Sequence, residues 1–338
     1  MSAVGVCVGF GSFWRFPYLV YRNGGGAFLI PYMIAMALLG MPLLYLETSI
    51  GQMFRKSIPF SLAKIHPALK VVGIGIMTAT FHFATSYNIL LSYCYRFMFT
   101  SFEYPLPYAN ESIEENRYFH EEILHQSDSI NQFEAIDPFL FLLYVGSMCL
   151  CYYVIKDGAK TSGKIIIVTA STPFVIFFIL VIRGLFLDGA LEGIIFLLKP
   201  KWELLTDYNI WIDATTQVFY QLTLGIGTMV NISTAKARRE DIWSSVFIVP
   251  LGLILCGMLS ALTIFIYLSH FCINSGYQID DPTIQLSGME LSFNVLPKAL
   301  LMLPMANLWL FIFFFAMVLL GIDSEFGLME AFFCYVRD

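Results

Sequence analysis

The stretch Gly5-Val-Cys-Val-Gly-Phe-Gly-Ser-Phe-Trp-Arg-Phe-Pro17, followed at once by Asn23-Gly-Gly-Gly26, decides how the whole chain is read. It is apolar enough to enter a membrane. Yet three glycines at 5, 9 and 11 weaken a helix, and Pro17 cannot donate a backbone hydrogen bond. The pattern predicts a membrane helix that breaks in its middle, over Val8 to Gly11. In a bilayer, non-helical backbone survives only where it is buried in protein or lines a cavity. The freed half-helix ends there offer amide N–H groups to an anion and carbonyl oxygens to a cation. Gly9 and Gly11 have an alternative reading as small residues that let two helices pack closely. The crowding of glycine, arginine and proline within a few residues favours the break.

Working outward, composition points the same way. With 58% hydrophobic and 13% charged residues and a mean hydropathy of +0.72, the chain reads as an all-α polytopic membrane protein rather than a soluble domain. A spanning helix needs about 20 mostly apolar residues. Eight candidate spans fit that need, at residues 1–22, 27–53, 70–101, 138–155, 163–183, 210–235, 242–268 and 304–334. Every second loop is basic: Arg55, Lys56, Lys64 and Lys70; then Lys156, Lys160 and Lys164; then Lys236, Arg238 and Arg239. Those loops are therefore expected on the cytoplasmic side. The acidic loop 102–137 carries the sequon Asn110-Glu-Ser112 and is expected outside, with Asn110 a glycosylation site. Residues 269–303 are expected to form an extracellular lid-like loop, and 185–208 a connection with a short surface helix over 189–198.

The first span is not a signal peptide, since it lacks a basic start and holds Arg15. Six of the seven cysteines fall within spans, and only Cys272 is placed in a loop, so the sequence implies no intrachain disulfide framework. There is no CxxC, HExxH, Walker loop or Ser/His/Asp arrangement, and no strand precedes Gly9-Phe-Gly11 to make it a dinucleotide fingerprint. An enzyme and a nucleic-acid partner are therefore not expected. Asp323 lies in the last span, where a bare carboxylate costs about 3 kcal/mol. A bound cation or another protein group must compensate it. Gly225 and Gly227 interrupt a second apolar span and predict a second break, over Thr223 to Gly227. Without further information Tyr87 and Tyr220 read as core aromatics, and His82 as a hydrogen-bonded interior histidine.

The run Gly9-Phe-Gly-Ser-Phe-Trp-Arg-Phe-Pro-Tyr18, then Asn23-Gly-Gly-Gly-Ala-Phe-Leu-Ile-Pro-Tyr32, resembles the first helix and loop of the neurotransmitter:sodium symporters. Gly40-Met-Pro-Leu-Leu-Tyr-Leu-Glu47 with Gly51-Gln52, Ser86-Tyr-Asn88, Trp211-Ile-Asp-Ala214, Leu224-Gly-Ile-Gly227 and Leu320-Gly-Ile-Asp-Ser324 follow in the family's order. The resemblance covers nearly the whole chain. It implies a single transporter domain over 1–338 with the broken-helix, inverted-repeat fold of the bacterial leucine transporter, and Na⁺-coupled alternating access in the plasma membrane. It also implies that amides around Gly9, Phe10 and Gly11 hold a substrate carboxylate, that Tyr87 completes the clamp, and that Tyr220 is an aromatic lid. Cys7, Thr223, Ser324 and Leu328 would border the substrate, and Arg15 would belong to an extracellular gate. Monoamine carriers of the family place an aspartate where this chain has Gly9, so the expected substrate is an amino acid or similar small carboxylate.

The resemblance further implies one Na⁺ site, from the carbonyls of Gly5, Val8 and Leu320, the Asp323 carboxylate and the Ser324 hydroxyl. Oxygen ligands of this kind suit a hard cation. The second sodium site is altered. Ser12 stands for the family's asparagine, Gln221 for its serine or threonine, and its helix-seven asparagine falls near Val249 or Pro250. Of the chloride site Tyr32 and Gln217 match while the accompanying serines do not, so no defined Cl⁻ dependence is expected. About eight of the family's twelve helices are represented. The alternative expectation is thus a transport-inactive form that pairs with a full-length relative; otherwise the partners are the solute, membrane lipid and, in homo- or hetero-oligomers, related chains.

Overall fold

The computed structural model describes residues 5, 7–109, 117–127, 129, 131, 136–156, 159–237, 239–279 and 288–338, with 159–167 as helical backbone. The sequon at Asn110 lies outside them. The described residues are helical with no strand; one isolated bridge joins Gly25 to Pro200.

Helix α1, residues 11–22, opens with a wide π turn over Gly11–Arg15 and continues as Phe16–Arg22. Gly24 and Gly25 then turn the chain at φ of 72° and 79°, which glycine adopts readily. A side chain on Gly25 would also meet the Phe196 carbonyl oxygen, 2.1 Å from where its Cβ would stand. Helix α2 follows over Gly26–Phe54 and ends where Arg55 turns left-handed. A short α3, Ile58–Ile65, leads to α4, Leu69–Thr100, whose 32 residues are about 48 Å long at 1.5 Å per residue. Helix α5 runs Pro138–Ile155, begun by Asp137, whose carboxylate accepts from Phe139 N at 2.8 Å. Then come α6, Ala159–Gly184; α7, Ala190–Leu198; α8, Tyr208–Gln221; and α9, Thr228–Thr234. The chain continues with α10, Trp243–Asn274, with α11 at residues 288–301, and with α12, Ala306–Arg337.

Among the described residues, α2, α5, α10 and α12 are each long and apolar enough to cross a membrane alone, and Val168–Gly184 is a shorter apolar helix. Helix α4 and the broken pairs around α1 and α8–α9 stand where the remaining spans are expected. The two ends of the bundle sort as the charge pattern predicts. At one end Arg55 and Gln52 donate to the carbonyls of Lys236 and Ala237, at 2.8 and 2.6 Å, which brings two basic loops together. At the other, Asn307 donates to the carbonyls of Ser101 and Glu103, and His120 lies 3.2 Å from Glu290. Large apolar side chains such as Leu38, Val71, Leu142 and Phe247 are exposed on the outer faces, as a lipid-facing surface allows. In the middle, α12 lies against α4 and α6, α10 against α6, α7 and α1, and α8–α9 against α2.

Two boundaries differ from expectation. Helix α10 runs on to Asn274, which carries Cys272 out of the expected loop and into the interior. His270 secures that extension through its Nδ1, 3.0 Å from the Asp188 carbonyl. Helix α7 is a surface helix packed on one side: Leu191, Ile195 and Leu198 are exposed, while Gly193 brings its backbone so close to α10 that a Cβ would stand 2.2 Å from the Phe265 carbonyl. The lid-like segment is helical and deep, with Leu291 to Leu300 buried and Phe293 stacked with Phe119 and Phe314. His82 is exposed on the outside of α4, bonded only to its own helix at Thr78. It lies across the helix from Ala84, Tyr87 and Leu91, which face the core.

Candidate functional site

The chain leaves regular helix at Val8 and Gly9 and resumes it at Phe10, so the first break is shorter than expected and Gly11 already begins the π turn. A π turn is commonly a local adjustment at functional positions. It is bridged by Ser12 N, which donates to the Gly9 carbonyl at 3.0 Å. Both glycines are required by contact. A Cβ on Gly9 would stand 2.1 Å from Ser324 Oγ and 2.6 Å from the Tyr87 hydroxyl, and one on Gly11 2.5 Å from the Tyr220 ring. The structure thus brings Gly9, Ser324 and Tyr87 to one point and Gly11 and Tyr220 to another. The Phe10 N–H donates to the Tyr87 hydroxyl at 3.1 Å, and the two rings stack with centroids 4.9 Å apart.

Above this point sits a closed layer. The Arg15 guanidinium lies 4.8 Å over the Tyr220 ring and donates to Gln217 Oε1 at 2.9 Å, while Gln217 Nε2 donates to the Gly11 carbonyl at 2.6 Å. One turn on, Gln221 accepts from the Tyr32 hydroxyl at 2.7 Å and donates to Ser12 Oγ at 3.0 Å. Two glutamines on one face of α8 therefore grip the α1 strand of the break. Tyr32 therefore meets Gln221, and Gln217 serves Arg15. Residues of α10 beyond Val249 and Pro250 meet α1. Gly257 does so, with a Cβ that would stand 3.1 Å from the Phe16 ring, and Ser260, which donates to the Phe13 carbonyl at 2.6 Å.

The second break spans Leu222 to Gly227. Thr223, Gly225 and Gly227 all have positive φ, at 51°, 77° and 82°, which ends α8 and restarts α9 in a new direction. Two side chains from neighbouring helices hold it open. Glu47 Oε1 accepts from Gly225 N at 2.7 Å, and the Thr80 hydroxyl donates to the Ile226 carbonyl at 2.7 Å. Cys7 lies beside Thr223, which joins the two breaks. Val8, Leu320 and Leu328 are buried around them, and Gly5 is buried on the other side of the first break.

Asp323 is fully buried. Its Oδ1 accepts from the Thr169 hydroxyl of α6 at 2.5 Å, while Oδ2 has no hydrogen-bond partner among the described residues. A buried carboxylate oxygen without a partner, next to a serine that touches the break, fits a cation held by oxygen atoms. No cluster of three His, Cys, Asp or Glu side chains occurs among the described residues.

Glu47, Thr80 and Thr169 have contacts at the site that reading the sequence missed. Glu47 stood in the quoted motif with no task. Its signal was present all the same, since a glutamate in an apolar span needs a partner.

These features define a helical membrane protein with two interrupted helices around a buried polar centre. The chain matches the Sodium:neurotransmitter symporter family over residues 1–116 and 108–338. It is 33% identical over 365 residues to the creatine transporter of Torpedo marmorata, an alignment covering 100% of this chain and 59% of that protein. It is 31% identical to the human sodium- and chloride-dependent neutral and basic amino acid transporter B(0+), covering 100% and 61%. It is also 31% identical to the sodium-dependent serotonin transporter of Drosophila melanogaster, covering 98% and 57%. The chain belongs to the sodium:neurotransmitter symporter family, a family of multi-pass secondary transporters rather than enzymes. It spans about three fifths of the length of these relatives. The name of the amino acid transporter B(0+) pairs sodium with chloride, which runs against the expectation of no chloride dependence.

Proposed function

We propose that this chain forms the substrate- and ion-binding centre of a carrier that couples Na⁺ to the uptake of an amino acid or related small carboxylate. The observation that carries the proposal is the fully buried Asp323, with one unpartnered oxygen, next to a serine packed on the broken backbone at Gly9. Asp323 and Ser324, with the carbonyls of Gly5, Val8 and Leu320, would hold one Na⁺. The substrate carboxylate would take the Phe10 N–H that now donates to Tyr87, with Gly9 and Gly11 giving the close approach. Tyr220, held by Arg15, would close the site from outside, and Cys7, Thr223 and Leu328 would form its walls. Binding solute and ion at the same break gives coupling, because ordering that backbone for one ligand favours the other. The name of the related amino acid transporter B(0+) favours a chloride requirement. Ser12, Tyr32 and Gln221 are the neutral donors of this layer, and they would turn from one another to hold the anion.

The test is uptake of labelled neutral amino acids, cationic amino acids and creatine into cells making the protein. Na⁺ is replaced by choline in one arm and Cl⁻ by gluconate in another. Uptake of at least one solute that disappears in choline is expected, with a marked loss in gluconate. Absence of Na⁺-dependent uptake for every solute, with the protein at the cell surface, overturns the carrier reading in favour of a modulator of a related transporter.

A further inference from the structure

We propose that Glu325 is a specificity-determining residue of this site, whose carboxylate pairs with a cationic amine or guanidine at the end of the substrate remote from its own carboxylate. The inference rests on the carrier reading above and deepens it.

Glu325 is fully buried in the middle of α12, and neither carboxylate oxygen has a hydrogen-bond partner among the described residues. Its position relative to the break follows from helical spacing. Gly321, Ser324, Glu325 and Leu328 stand at i, i+3, i+4 and i+7, one stripe of the helix. Gly321 packs on Phe10 and Leu91, with a Cβ that would stand 2.5 Å from the Phe10 ring, and Ser324 packs on Gly9. Glu325 belongs to the same stripe, one turn on from Gly321, whose neighbours include Leu91 of α4.

The wall on that side is polar but already satisfied. Asn88 donates to the Tyr144 carbonyl at 3.1 Å and accepts from the Ser147 hydroxyl at 2.7 Å. The nearby protein cations are engaged elsewhere: Arg15 with Gln217 and Tyr220, Arg96 over the Phe139 ring. Asp323, about 200° around the helix, faces Thr169 on α6. So one helix carries two buried carboxylates pointing to two places, and only one of them is accounted for by a coupled ion. A carboxylate in an apolar interior demands a counter-charge. The Tyr87 hydroxyl marks the Phe10 N–H where a substrate carboxylate would bind, and Glu325 stands on the stripe of α12 that packs on Gly9 and Phe10. A solute carrying a carboxylate at one end and a cation at the other spans these two points.

The experiment uses the full-length carrier in proteoliposomes. It measures Na⁺-dependent uptake of leucine, lysine, arginine and creatine by wild type and by Glu325→Gln, which keeps the side-chain volume. Wild type is expected to prefer the cationic solutes over leucine. Glu325→Gln is expected to reduce that preference about thirtyfold or more, the usual consequence of unpairing one buried charge. A wild-type preference for leucine, or an unchanged preference in Glu325→Gln as expected of a carboxyl that is merely protonated, overturns the proposal while leaving the carrier reading intact. Na⁺-independent behaviour toward all four solutes in wild type overturns both. The wild-type ranking decides the matter alone if the variant does not reach the membrane.

Discussion

The two broken helices use glycine for different reasons. At the first break Gly9 and Gly11 are there because other side chains occupy the space a Cβ would need: Ser324, Tyr87 and Tyr220. At the second, Gly225 has open space around it but a φ of +77°, and Gly227 joins a φ of +82° to a Met77 side chain 2.7 Å from where a Cβ would stand, so backbone conformation excludes a side chain at both. The first break is a packed contact surface, and the second is a bent hinge held by Glu47 and Thr80. The residues that close on a ligand therefore gather at the first, and those that set its geometry at the second.

The sharpest way to break this comparison is Gly9→Ala. Overpacking of this kind costs about 1–3 kcal/mol, and here it falls on the proposed binding point. Na⁺-dependent uptake is expected to drop at least tenfold, with surface delivery measured in parallel by biotinylation. Uptake near the wild-type level contradicts the contact reading.

Next comes Glu47→Ala, which removes the acceptor from the Gly225 N–H. A hydrogen bond to a charged group contributes about 1.5–3 kcal/mol. Amide exchange at 225–228 should accelerate accordingly, while exchange at 10–13 changes little. Equal acceleration at both breaks would merge them into one cooperative unit. Gly225→Ala is expected to cost less, about 1–2 kcal/mol from the left-handed conformation alone, read as a small fall in melting temperature with binding retained. A loss as complete as that of Gly9→Ala would end the distinction between them.

The smallest effect is expected away from both breaks, at Asp241. Its carboxylate accepts from Trp243 N at 3.0 Å and Ser244 N at 3.2 Å, and these bonds hold it below the usual carboxylate range. Its contribution to the start of α10 is therefore present above the ordinary aspartate value of about 3.9. It is lost as pH falls through the lower folded value. Asp241→Ala should speed amide exchange at Trp243 and Ser244 near neutral pH, a difference that closes in strong acid.

Much of the fold was legible because the membrane makes composition decisive. Eight apolar stretches and three basic loops were enough to place the helices. The breaks were legible from Gly9, Gly11, Gly225 and Gly227, since such residues have few other uses inside a span. What escaped the sequence was contact across helices. Gln217 and Gln221 are separated by one turn, and nothing in their spacing says which meets Tyr32 and which meets Arg15. Thr169 reaches Asp323 from 154 positions away. Helix ends were also hidden, because Ser269, His270 and Asn274 look like loop residues until the Asp188 carbonyl is seen beside His270. Glu325 was passed over because it follows Asp323-Ser324, whose resemblance to a known ion site drew the reading to itself.

The central claim is that the free oxygen of Asp323 serves a sodium ion lodged at the first break. It is tested most directly by the melting temperature of the purified full-length protein in Na⁺ and in choline at equal ionic strength, for wild type and Asp323→Asn. A ligand at a hundred times its dissociation constant stabilises by about 2.7 kcal/mol. Saturating Na⁺ should therefore raise the wild-type melting temperature clearly and leave that of Asp323→Asn unmoved. An equal Na⁺ shift in both proteins would contradict the account.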